Sequence, residues 1–199
     1  MTDKQHNLIG IINERINSMV GDCNTFLLAK QEVNNFDKTE SVGGGNFLGA
    51  LGALSAILFL ARLYCKLIKS EEHGDGMFLK LVRDFPDHLG LCGSDKDIKD
   101  LWRNYRVALA HMISPKRPVA AFTKWEGHTF EEYLTKINSS TTSAFQIDIP
   151  EKGSTFIEFE FLVRDVTRIT NWLTDKISNG DFDEQTVLNV LNWAKSKCS

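Results

Sequence analysis

An arginine and a histidine stand five positions apart in the stretch Trp102-Arg103-Asn104-Tyr105-Arg106-Val107-Ala108-Leu109-Ala110-His111. The Arg106 guanidinium is permanently charged, and its planar fork matches a phosphate through two hydrogen bonds. The His111 imidazole titrates near neutral pH, where a group can both take and give a proton. The pair therefore has the parts for acid–base chemistry at a phosphate without a metal. Its surroundings suit that use. From Leu101 to Trp125 there are five basic residues, Arg103, Arg106, Lys116, Arg117 and Lys124, and no acidic one. The rest of the 199-residue chain holds 18 basic against 26 acidic residues, and the net charge is −3. General basicity cannot coat such a protein in nucleic acid, so an anion site has to be local.

These residues need a helix to carry them. Ile98, Leu101, Trp102, Tyr105, Ala108, Leu109 and Met112 recur at steps of three and four, which predicts a helix capped by Ser94 or Asp95. Pro115 disfavours helix at Ser114, so the helix should end near Ile113. His111 then falls in the last turn, where the helix dipole favours the imidazolium. Arg83 to His88 repeats the same spacing, but Pro86 interrupts it and two acids intervene.

The same periodicity predicts a long amphipathic helix from Lys4 to Phe36, through Leu8, Ile12, Ile16, Met19, Cys23 and Phe26, with Thr2 or Asp3 as its cap. A second helix, Asn46 to Ser70, is apolar nearly all round up to Arg62 and belongs at the centre of a bundle. Gly45, Gly49 and Ala53 give it a small-residue stripe suited to close packing within the chain. Met77 to Phe85 forms a short helix ended by Pro86. Thr129 and Glu132 make a capping box for a helix reaching Ile137. Phe145, Ile147 and Ile149, then Ile157, Phe159 and Phe161, alternate with polar residues across Pro150 to Ser154, predicting a β-hairpin over residues 144–161. A helix through Leu162, Val166, Ile169, Leu173 and Ile177 closes at Asn179-Gly180, and a last one is capped at Asp181. The expected fold is mainly α: one domain over residues 1–199, an antiparallel bundle of four to five helices with the hairpin as an add-on.

Other chemistries are not supported. Gly43 to Gly49 lacks both the dinucleotide-binding glycine spacing and a P-loop lysine. His6, His73, His88, His111 and His128 are scattered, and Cys23, Cys65, Cys92 and Cys198 have no C-x-x-C spacing. Neither a metal nor a cofactor is expected. Spaced cysteines and a polar start without a signal peptide point to reduced thiols in a cytoplasmic protein. Phe47 to Ala61 is short of the roughly 20 residues a membrane span needs, so no membrane is expected as a partner.

Arg106-x4-His111, on a helix that follows two long ones, resembles the signature of the HEPN superfamily, R-x4-6-H on a helix of a four- or five-helix bundle. The specific part of the resemblance is about seven residues; helix order extends it over residues 2–114. It implies a metal-independent endoribonuclease of the toxin–antitoxin or phage-defence type. His111 would move the proton of an RNA 2′-hydroxyl or of the leaving 5′-oxygen, and Arg106 would hold the phosphate. Arg103, Asn104, Lys116 and Arg117 would contact substrate. Products would carry 2′,3′-cyclic phosphate and 5′-hydroxyl ends. Positions 106 and 111 stand about 140° apart on an ideal helix, and the family's usual answer is a homodimer whose two motifs face one cleft. RNA and an antitoxin or other regulatory protein are the partners this implies. Catalytic members commonly have a polar residue after the motif arginine, and this chain has Val107. The alternative reading is a non-catalytic module of the same fold that binds RNA, a nucleotide or a protein.

Overall fold

The computed structural model describes residues 1–34, 45–111, 118–121, 129–140, 143–149 and 154–196; side chains are described there except at 26–34, 45–48, 104–111, 118–121, 130, 133, 145–149 and 154–159. The fold is mainly α. The described residues hold seven helices: α1 (Asp3–Asn34), α2 (Gly45–Leu67), α3 (Asp75–Asp84), α4 (Asp95–His111), α5 (Phe130–Ser139), α6 (Phe159–Asn179) and α7 (Glu184–Ser196). That exceeds the four or five expected.

Helix α2 is the hub. It packs against α1, α3, α4, α6 and α7, because its apolar residues run round most of its circumference, leaving Ser55, Arg62 and Lys66 exposed on one strip. Ala50, Ala53, Leu54, Ile57, Leu60, Ala61 and Leu63 are all buried. Its Gly49–Leu67 segment is long and apolar enough to cross a membrane by composition, and 61% of that window is buried inside the chain. At Gly49 the small stripe meets α1: the Cys23 Sγ lies 3.9 Å from the Gly49 carbonyl oxygen. Helices α1 and α6 pack together, and Leu8, Ile12 and Ile16 share one buried cluster with Leu162, Val166, Ile169 and Leu173.

The helix ends follow local chemistry. Thr2 and Gln5 cap α1 reciprocally, at 2.6 and 3.3 Å, and Gln5 Nε2 also donates to the Ile177 carbonyl at 2.8 Å. Thr129 and Glu132 form the expected capping box on α5. Gly180, at φ 80°, ends α6 with Asp181 N–H bonded back to Lys176 O. The cap of α7 is Asp183 rather than Asp181. Asp183 accepts from the Thr186 N–H at 2.8 Å and the Thr186 hydroxyl at 2.7 Å, while Asp181 pairs with Lys176.

The described residues also hold three short strands, β1 (Pro118–Ala121), β2 (Phe145–Ile149) and β3 (Ser154–Glu158), in the order β1-β3-β2. β2 and β3 are antiparallel, with Phe145 opposite Ile157. β1 runs parallel to β3, with Pro118 opposite Thr155. The expected hairpin limits, 144–161, overrun the strands. Phe159 and Phe161 belong to α6, where Phe161 is buried. An alternating pattern that runs into a helix start cannot be told from a longer strand by period alone.

The connector from α3 to α4 is unusual. His88, Leu89 and Gly90 all have left-handed backbones, with φ of 51°, 53° and 68°. For the two residues with side chains this conformation costs roughly 1–2 kcal/mol each. At Gly90 an added Cβ would stand 3.1 Å from the Ser143 Cβ.

Candidate functional site

Helix α4 begins with a reciprocal cap. Ser94 Oγ accepts from the Asp97 N–H at 3.3 Å, and Asp97 Oδ2 accepts from the Ser94 N–H at 3.2 Å and from its hydroxyl at 2.6 Å. Those bonds hold the Asp97 carboxyl below the usual carboxylate range. Ile98, Leu101 and Trp102 are buried and define the inward stripe of the helix. Trp102 stacks on Phe78 of α3, with centroids 4.1 Å apart and planes at 13°. Trp102 is therefore a core residue and not a platform for a base.

The α4 backbone is one helix through position 111. Positions 106 and 111 thus lie on the same element, about 7.5 Å apart along its axis. By helical spacing, 106 stands about 90° round from the centre of the buried stripe, and 111 about 130° round in the opposite sense. The side chains of Asn104, Arg106 and His111 lie outside the described residues, as do Lys116 and Arg117 altogether.

Arg103 can be followed in full, and it is not available in the way its sequence neighbours suggest. Its Nε and Nη2 bind Asp75 Oδ2 of α3 at 3.0 and 2.9 Å, and its Nη1 reaches Asp100 at 3.3 Å. The stretch is free of acids along the chain, but in space α3 and the preceding turn of α4 bring two carboxylates to its first cation. The discounted second copy of the spacing is also accounted for. Arg83 is tied to Asp95 and the Gly93 carbonyl, and His88 Nδ1 lies 3.2 Å from Val82 O.

A second polar locus was not legible in the sequence. A cleft of about 220 Å³ opens between α1, α5 and α6, lined by Asn24, Asn138, Glu160, Arg164 and Thr167 among apolar residues. Glu160 and Arg164 are 2% and 4% exposed. Arg164 donates through Nε and Nη2 to Asp165 Oδ1, at 2.9 and 2.6 Å, and through Nη1 to Ser140 O at 2.9 Å. Burial pushes the Asp165 carboxyl up, against the opposing pull of Arg164 and Arg168. On the sequence these look like the ordinary charges of an amphipathic helix. Nothing in their spacing marks them as interior, because the polar arc of α6 is covered by α5 only in three dimensions.

Among the described residues no group of three or more His, Cys, Asp or Glu could hold a metal ion. Cys23 and Cys65 are buried free thiols, Cys92 is an exposed one, and burial raises the Cys23 thiol to about 11. No family model, curated protein or solved structure matches the chain.

Proposed function

We propose that the chain is a HEPN-like helical protein that cleaves RNA without a metal, with Arg106 and His111 as its catalytic residues. The observation that carries this reading is the presence of both positions on one unbroken helix, α4, behind α1 and α2. Arg106 anchors the scissile phosphate and offsets the charge that builds on it in the transition state. His111 moves the proton between the 2′-hydroxyl and the leaving oxygen. The angular separation of positions 106 and 111 calls for a second copy, so the active form is a C2 homodimer with α4 near its axis. Asn104, Lys116 and Arg117 contact the substrate, and Arg103 contributes less because Asp75 and Asp100 compensate it. A cytoplasmic defence or toxin–antitoxin module, held in check by a protein partner, is the setting that fits such an activity.

The test is incubation of the full chain with RNA in EDTA, beside Arg106→Ala and His111→Ala. The expected result is cleavage to 2′,3′-cyclic phosphate ends, falling at least about 100-fold in either variant. Cleavage that survives both substitutions, or a strictly monomeric active species, overturns the reading. Val107 favours a second one, a binding module on the same fold. In that case RNA is retained but not cut, and retention weakens in Arg106→Ala and with added salt.

A further inference from the structure

The cleft between α1, α5 and α6 holds hydrogen-bond acceptors at its inner end. Gln5 of α1 is tied to Ile177 of α6, and Asn24, further along α1, lines the cleft with Glu160 from the start of α6. Helices α1 and α6 therefore run antiparallel, and their register brings these two side chains to one place. Glu160 is 2% exposed. Asn24 Oδ1 is buried and accepts no hydrogen bond from the described residues. An acceptor shut away from water without a donor opposes folding, so this one points to a donor from outside the chain. Arg164 does not turn the cleft into an anion site. Its Nε and Nη2 are directed at Asp165 and its Nη1 at the Ser140 carbonyl. Asp165 and Asp87 between them take up Arg164 and Arg168, and among the described residues no other cation lines the cleft. Thr167 gives its hydroxyl proton to the Val163 carbonyl, and with Asn138 it stands exposed at the mouth. Val20, Leu134, Ile137 and Val163 supply an apolar wall.

We propose that this cleft binds a small organic ammonium ion with an apolar body, its N–H groups directed at Glu160 and Asn24 Oδ1 and its body against the apolar wall. An ammonium donates through all its hydrogens and accepts nothing, which suits a site made of acceptors. The cleft, at about 220 Å³, is somewhat larger than the roughly 150 Å³ that encloses benzene, so the ligand has about nine non-hydrogen atoms. The site shares no residue with α4 and stands whether or not the chain cuts RNA.

Titration of the full chain with 2-phenylethylammonium, followed by NMR shifts of the backbone amides, tests it. Saturable binding with a Kd of about 1 mM or tighter is expected, with the shifts centred on Val20, Asn24, Leu134 and Val163. 2-Phenylethanol and phenylacetate carry the same ring without the charge or with the opposite one, and each should bind at least about tenfold more weakly. Asn24→Leu keeps the volume and removes the acceptor. It should weaken ammonium binding about tenfold or more while leaving the Tm of the free protein unchanged or higher, whereas loss of an asparagine with a structural hydrogen bond would lower it. Val20→Phe fills the cleft from a partly exposed position and should abolish binding. The comparison of the three probes needs no variant and carries the test alone should a substitution unfold the chain. No saturable binding by about 10 mM, which marks a cleft that holds water only, would overturn the site. So would equal binding of the three probes, shifts centred elsewhere, or unchanged affinity in Asn24→Leu.

Discussion

Replacing Arg164 by methionine isolates the energetics of the buried charges in α6. In the Arg164–Asp165 pair the two side chains are 2% and 0% exposed. Methionine fills much of the arginine's volume but removes both donors to Asp165 Oδ1 and the donor to Ser140 O. Asp165 then keeps only Arg168, at 3.3 Å. Breaking a buried pair in this way costs roughly 3–5 kcal/mol. For a chain of this size that is a fall in Tm of roughly 6–20 °C. The pH dependence has a definite sign. Burial already pushes the folded-state Asp165 carboxyl above its unfolded value, and loss of Arg164 pushes it further. The folded state then holds a proton that the unfolded state releases, so the variant's deficit is largest at neutral pH and shrinks as pH falls toward the ordinary carboxylate range. Urea denaturation followed by circular dichroism, at pH 7.5 and again near pH 5, measures both. Arg164→Met combined with Asp165→Asn should recover most of the loss, because neither charge is then buried. A loss under about 1 kcal/mol, or one that is the same at both pH values, would refute the reasoning.

Asp183→Ala removes the cap of α7 and the partner of Lys69. Bonds from Thr186 and Lys69 hold the Asp183 carboxyl well below its ordinary range, so its stabilisation is present above that range and is lost as pH falls toward the depressed value. Thermal melts should therefore separate variant from parent at pH 7 and converge in strong acid. Asp75→Asn frees Arg103 from its carboxylate partner in α3. If α4 presents its cations to RNA, the salt dependence of RNA retention should steepen by about one phosphate contact, and an unchanged slope would remove Arg103 from the interface.

Most of the helices could be read from the sequence because they are specified locally. Thr129 and Glu132 cap α5 through two bonds that lie within four residues, and Leu8, Ile12 and Ile16 are buried at the spacing their types announce. The start of α7 was misplaced by two residues because Asp181 and Asp183 are equally plausible caps until Lys176 claims the first. β1 was missed because four residues, Pro118–Ala121, carry too little pattern, and its partner β3 is more than 30 positions away. The candidate site divides along the same line. The spacing of Arg106 and His111 is a property of the chain, whereas the pairing of Arg103 with Asp75 depends on how α3 meets α4. The buried Arg164 and Asp165 were invisible for the same reason: covering α6 takes a helix from elsewhere in the chain.

The hub position of α2 sets the order in which the chain can become whole during synthesis. Its partners α1 and α3 flank it and emerge early, but α6 and α7, which cover α1 and α2 together, begin only at residue 159. The tie from Gln5 to Ile177 spans 172 positions. Until residue 159 and those after it have left the ribosome, a long oily helix waits with one flank bare. A message cut short before that point would release an adhesive fragment, and nascent chains should engage holding chaperones through the α2 segment until α6 and α7 arrive.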